Sequence, residues 1–277
     1  LRKLASGKAK MILSKREPRL PSPTFVKAYL DAFRPKPAPS IGDDAPQGDQ
    51  TLKRAFEALE AQDYAHSLSL FQEALQQGLS TKELEAAALN MHGTYMFVMG
   101  EAKRALEDLD RSIELCPENV QTWVKKASVH VELGDKDAAM ADFDRAVALN
   151  ADDADIYYHR GQVHFILGEF EAAMSDYSKS TSLDDTFIFS QVQHAVASYK
   201  LGNIARSTAE FCRILKKFSD SSESYNYFGE LMLDQQRHED AVANFDKSIA
   251  LEQAKPKGKN VLPMINKALV LFQWKQD

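Results

Sequence analysis

Cysteine is nearly missing from this sequence: Cys116 and Cys212 are the only two among 277 residues, far apart and each within a helical pattern. That excludes a disulfide framework and any CxxC redox or metal pair, and it fits a reducing compartment. No stretch approaches the roughly 18 consecutive apolar residues of a membrane span, and no secretory signal is visible. Proline crowds into residues 18–46 and is rare afterwards. Basic charge is scarce in the main body. Residues 1–40 hold 10 Lys/Arg against 2 Asp/Glu, a net of +8, so with −6 overall residues 41–277 carry −14. A nucleic-acid binder spreads cations over its body; this acidic body excludes nucleic acid and favours basic or neutral partners.

Catalytic and metal chemistry is equally thin. The seven histidines (His66, His92, His130, His159, His164, His194 and His238) are scattered. The closest pair, His159 and His164, would point about 140° apart on a helix, poor geometry for one metal ion, and packing or surface roles are expected. "GKAKMILSK" lacks the upstream glycine and the spacing of a phosphate loop and reads as a basic helix. No Ser/His/Asp or Cys/His set sits at a strained turn. Neither enzymatic activity nor a cofactor is expected.

What is present is a period. Gly100, Gly134, Gly168 and Gly202 recur every 34 residues, each closing an apolar helical stretch: "MHGTYMFVMG", "KKASVHVELG", "HRGQVHFILG", "QHAVASYKLG". A glycine there suits a left-handed helix terminator. Seven residues earlier come Gly93, Ala127, Gly161 and Ala195, and five residues later Ala105, Ala139, Ala173 and Ser207, small enough for two antiparallel helices to approach closely. Four residues beyond lie Leu109, Phe143, Tyr177 and Phe211, large enough to fill the gap between hairpins. The same grid reaches Ala55, Ser67, Phe71 and Ala74 upstream, and Tyr225, Gly229, Ala241, Phe245 and Ser248 downstream. A last helix, "VLPMINKALVLFQW", supplies Ala268. Six helix pairs are therefore expected, starting near Gly48, Ala86, Val120, Ala154, Ile188 and Ser222, plus the first helix of a seventh.

A 34-residue helix–turn–helix with this alternation is the tetratricopeptide pattern. The predicted fold is an all-α superhelix of stacked hairpins, each burying its faces only against neighbours. In that family the first helix of each pair lines the concave side. Positions 2, 5, 9, 12 and 13 of each repeat are then expected to face a groove. They give Leu52, Phe56 and Leu59; Phe97 and Val98; Val124 and Val131; Tyr158, Gln162, Phe165 and Ile166; Phe189, Val192, Val196 and Tyr199; and Leu233. Glu132, Asp155, Glu223, Glu230 and Asp234 are interleaved. An apolar groove edged with carboxylates suits a helical or extended segment carrying basic residues. The alternative is that many of these side chains bury against a C-terminal helix or the superhelix itself. The family's two-carboxylate clamp for chaperone tails is excluded, because it uses Lys at position 5 of one repeat and a cation at position 2 two repeats on. Position 5 reads Leu52, Asn90, Val124, Tyr158, Val192 and Asn226, and position 2 reads Asp49, Ala87, Gln121, Asp155, Phe189 and Glu223.

The opening segment explains the charge switch. "LRKLASGKAKMILSKRE" reads as the closing helix of a preceding domain. In "PSPTF", Ser22 can cap a short helix whose first turn accepts Pro23, with Phe25, Tyr29 and Phe33 as one apolar stripe. "PKPAPSIGDDAPQGDQ" follows as a flexible linker. "REPRLPSPTFVKAYLDAF", an acidic linker and tetratricopeptide repeats together resemble the seventy-kilodalton import receptors of the mitochondrial outer-membrane translocase. "ADIYYHRGQVHFILGEFEAAMSDY" and "LFQWKQD" agree with that resemblance.

The resemblance implies residues 1–34 as the end of a clamp domain with its junction helix, 35–47 as the linker, and 48–277 as the start of a preprotein-binding domain. It implies capture of mitochondrial preproteins of the carrier type, and contact with other translocase subunits. Heat-shock chaperones would dock through a clamp domain, and the membrane would be reached only through an anchor, both expected outside this chain. Residence would be at the mitochondrial outer membrane, facing the cytosol. A tetratricopeptide co-chaperone or a general interaction scaffold is the alternative; the J-domain type would carry a His-Pro-Asp motif, and none occurs.

Overall fold

A computed structural model of the chain describes Leu30, Phe33 and residues 38–256 and 259–274. The expected cap at Ser22 and Pro23, and Phe25 and Tyr29 of the stripe, lie outside the described residues. Among the described residues all regular structure is helical, as the 34-residue pattern predicts. Thirteen helices are α1 Gln47–Glu60, α2 Tyr64–Gln77, α3 Lys82–Val98, α4 Ala102–Leu115, α5 Val120–Leu133, α6 Lys136–Leu149, α7 Ala154–Ile166, α8 Phe170–Leu183, α9 Ile188–Lys200, α10 Ile204–Lys217, α11 Ser222–Asp234, α12 His238–Ala254 and α13 Leu262–Trp274. Consecutive helices pair as six hairpins, and α13 packs on α12. Contacts gather into two compact units. One holds the described residues of 38–117; the other holds Leu30, Phe33 and those of 118–274.

The turns form for the reason their composition implies. Gly100, Gly134, Gly168 and Gly202 have φ of +86°, +83°, +79° and +83°, the left-handed region that side chains resist. The two hairpins that lack this glycine put a glutamine there instead: Gln62 at φ 61° and Gln236 at φ 60°. Some helix starts carry their own caps. Thr81, Asp135 and Ser221 accept hydrogen bonds from the backbone N–H groups of Leu84, Ala138 and Ser224. α3 begins at Lys82, a turn ahead of the expected Ala86, because Thr81 supplies that cap.

Within each hairpin the small and large positions interlock. Ala105, Ala139, Ala173, Ser207 and Ala241 are fully buried, as are Leu109, Phe143, Tyr177, Phe211 and Phe245. At roughly 25 cal/mol per Å² of apolar surface, this interleaving is the main source of cohesion within each unit. A Cβ on Gly229 would lie 2.7 Å from the Phe245 ring, and one on Gly161 2.8 Å from the Tyr177 ring. Glycine at those two sites is what lets the ring of the second helix reach the backbone of the first.

A polar ladder with the same period holds four hairpins shut. His92 Nδ1 meets Asp108 at 2.7 Å, and His130 Nδ1 meets Asp142 at 2.7 Å with Lys126 3.8 Å away. Arg160 donates twice to Asp176, at 2.9 and 2.7 Å, and His194 Nδ1 meets Glu210 at 2.9 Å. Asp108, Asp142, Asp176 and Glu210 lie 34 residues apart, and so do His92, Lys126, Arg160 and His194. His92, His130 and His194 therefore tie the two helices of their own hairpin. His164 meets Glu169, 2.7 Å away at the hairpin turn, and its Nε2 lies 3.8 Å from Asp176.

Candidate functional site

In the second unit the first helices of successive hairpins lie side by side, α5 with α7, α9 with α11 and α11 with α13. Most of the candidate residues fall on them. Asp155, Tyr158 and Val192 are 2%, 3% and 1% exposed, too deep to meet a ligand in this structure. Val192 packs with Phe211, Leu231 and Met232. Tyr158 packs with Tyr177, its ring 4.9 Å edge-on to Phe187, and Gln162 Nε2 donates to its hydroxyl at 2.6 Å. Burial comes first among the causes that hold the Tyr158 hydroxyl far above its usual titration range.

The remaining candidates reach the surface. Gln162, Phe165, Val196, Tyr199 and Glu230 are half-buried, whereas Glu132 and Asp234 are exposed. Phe165 stands 5.2 Å from Phe170, ring to ring. Val196 and Tyr199 flank the α9–α11 cluster. Burial, then the charge of Asp234, pushes the Tyr199 hydroxyl up. In the first unit Phe97 and Val98 are half-buried at the end of α3.

Glu230 is the most structured of the set. Burial raises its carboxyl above the usual range, against the pull of two amide donors: Asn226 Nδ2 and Asn266 Nδ2, each at 2.8 Å. Asn266 also donates to Asn226 Oδ1 at 3.0 Å, so α13 is stitched to α11 through this carboxylate. A carboxylate short of solvent gains most from an arriving cation, because the cation restores the charged form that burial disfavours. Beside it, burial and the carboxylates of Glu230 and Glu223 push the Tyr227 hydroxyl up to about 12.

The α5–α7 end of the same face is already occupied. Phe33, from the opening segment, is buried against Val124 and Ile156. Its ring stacks 4.2 Å from His159, with Lys125 Nζ 5.5 Å from its centroid. Phe33 of the expected stripe thus has a docking place, which periodicity alone could not locate. Also missed were the two asparagine amides; position 5 reads Asn226, but nothing in the spacing links it to Asn266, 40 residues away. No group of acidic, histidine or cysteine side chains able to hold a metal ion occurs among the described residues. None of their helices is long and apolar enough to cross a membrane.

The tetratricopeptide repeat family matches residues 124–184. Over its whole length the chain is 27% identical to the human mitochondrial import receptor subunit TOM70, covering 48% of it. The Saccharomyces cerevisiae TOM70 is 28% identical over 97% of the chain and 45% of the relative. The chain thus spans about half the length of these curated relatives. The crystal structure of yeast Tom70 superposes with a TM-score of 0.82 at 26% identity, over 98% of this chain and 57% of that one. The Cut9–Hcn1 structure, at 12% identity and a TM-score of 0.61, shares the fold alone. The described part of the chain is thus an all-α stack of hairpins, of which residues 124–184 match the tetratricopeptide repeat family, and the chain is similar from end to end to about half of the mitochondrial import receptor subunit TOM70.

Proposed function

We propose that this chain is the client-receiving part of a mitochondrial import receptor and acts by binding, without catalysis. The observation that carries the reading is the end-to-end similarity to TOM70, at both sequence and structure level. The second unit supplies a chemically suitable face: Val196 and Tyr199 as apolar contact, with Glu230 and Asp234 as the acidic border. An arriving segment with apolar and basic residues would lay its apolar side on α9 and its cations against α11. Phe165 and Gln162 on α7 extend the same face; Phe97 and Val98 offer a separate apolar strip on the first unit. Asp155, Tyr158 and Val192 support the face from beneath.

On this reading the clients are preproteins of the carrier type, and the receptor works at the mitochondrial outer membrane on its cytosolic side beside other translocase subunits. Residues 1–34 close a clamp domain that serves the heat-shock chaperones, residues 35–47 are its tether, and residues 48–277 receive cargo. Calorimetric titration with a carrier-protein segment and with a chaperone-tail peptide tests this. Binding of the first and none of the second is expected; the reverse pattern overturns the assignment.

A further inference from the structure

A second feature, away from the first-helix face, has the opposite charge. Hairpin α9–α10, residues 188–217, carries Lys200, Arg206, Arg213, Lys216 and Lys217 against one acid, Glu210. Its net of +4 stands out in a body that is otherwise strongly acidic. Where α10 faces α8 across α9 there is an open cleft of about 450 Å³. Ser178 and Thr181 of α8, His194 of α9, and Glu210, Arg213 and Lys217 of α10 line it.

The groups in this cleft are not equally committed. Glu210 is satisfied, accepting from His194 Nδ1 at 2.9 Å and from Arg206 Nε at 2.8 Å, so it presents no unpaired negative charge. Lys217 is aimed rather than free: its Nζ donates to the carbonyl oxygen and Oδ2 of Asp185, at 2.6 and 2.7 Å. Arg213 has no hydrogen-bond or ion-pair partner among the described residues, and the hydroxyls of Ser178 and Thr181 likewise stand unused. Ile214, 4% exposed, backs the cleft with an apolar wall. An uncommitted guanidinium and two hydroxyl donors lining one cleft form the donor set a carboxylate requires, and the fork of arginine can hold both its oxygens.

We propose that this α8–α10 cleft binds an acidic peptide segment of a partner protein, placing one carboxylate between Arg213 and the Ser178 and Thr181 hydroxyls. A protein ligand is favoured over a nucleic acid because the cleft offers one free cation and one shared one. Nucleic-acid affinity rests on roughly six to ten phosphate contacts, and the surrounding −14 body repels a polyanion. This proposal is independent of the import reading, since it uses neither the α9–α11 face nor its carboxylates.

The test is fluorescence anisotropy of a labelled peptide with a Glu-Leu-Glu core between neutral residues, alongside its Gln-Leu-Gln counterpart. The glutamate peptide binds the wild-type chain and the glutamine peptide binds at least about tenfold more weakly, because it removes the charge-assisted contacts. Arg213→Glu weakens the glutamate peptide about tenfold or more, and Ser178→Ala with Thr181→Ala about threefold. Lys247→Glu, the same charge change on exposed α12, leaves it within about twofold. Arg213 is exposed, so its variant keeps the wild-type circular dichroism melt. Failure of the wild-type chain to bind, or equal binding by Arg213→Glu, refutes the proposal. So does an Arg213-dependent affinity for single-stranded DNA that exceeds that for the peptide.

Discussion

Gly229→Ala sets two known effects against each other inside one hairpin. Alanine in place of glycine within a helix gains about 1 kcal/mol in propensity. Against that, the new Cβ of α11 would sit 2.7, 2.9 and 2.9 Å from three carbons of the Phe245 ring. That ring is fully buried among Ala241, Leu231 and Met232 and has nowhere to retreat. Forcing a methyl into such a site costs about 1–3 kcal/mol, so the net is a loss of up to about 2 kcal/mol. In a Phe245→Leu background the offending ring carbons are gone, and the same substitution gains about 0.5–1 kcal/mol from propensity and cavity filling. The sign of one substitution therefore inverts with its partner, a coupling of about 2 kcal/mol.

Gly93 gives an internal comparison: its Cβ would meet Asp108 Cβ at 3.1 Å and the Ala105 carbonyl oxygen and Leu109 Cγ at 3.2 Å, tight but less so than at Gly229, so Gly93→Ala costs less than Gly229→Ala. Urea unfolding followed by helical circular dichroism, with amide exchange on α11 and α12 for local stability, measures all five chains. Gly229→Ala that stabilises the wild type, or that acts alike in both backgrounds, refutes the packing argument.

Two further predictions rest on single residues. Gln236 holds a left-handed φ of 60° that costs a side chain about 1–2 kcal/mol; after glycine's own entropic cost, Gln236→Gly stabilises by about 0.5–1 kcal/mol, seen as a higher urea midpoint. Glu252, 1% exposed, accepts from Ser222 Oγ, from Lys255 Nζ at 2.6 Å and from Asn260 N at 2.7 Å. Burial pushes its carboxyl up, but these donors outweigh burial and leave it below the usual glutamate range. A lowered acid stabilises the fold above its unfolded value, and that contribution fades as pH falls through the folded one. Glu252→Gln therefore costs about 2 kcal/mol at neutral pH, and the gap to wild type closes in acid; a gap that persists there contradicts the charge argument.

The hairpin ladder was legible because its small and large positions and its glycines repeat every 34 residues, and each repetition buries the same face. The ion-pair ladder shares that period yet stayed hidden, since its cationic member changes from His92 to Lys126, Arg160 and His194 and no residue type repeats. Position within a repeat told which face of a helix a side chain takes, but not its depth. Asp155, Tyr158 and Val192 share the grid of Val196 and Tyr199, yet neighbouring hairpins close over the former. Gln62 and Gln236 carried no signal at all, because glutamine does not announce a left-handed turn. Phe33 was recognised as part of an apolar stripe; its partner His159 lies across the fold and could come only from coordinates.

The central claim is that the face of α9 and α11 takes apolar, basic segments. Its most direct measurement is the affinity of a basic amphipathic helical peptide for the wild-type chain and for Glu230→Lys with Asp234→Lys. Each reversal replaces an attraction by a repulsion, so the double variant binds about tenfold or more weakly, with the loss shrinking as salt is raised. Equal affinity of the two chains, at low and high salt alike, contradicts the account.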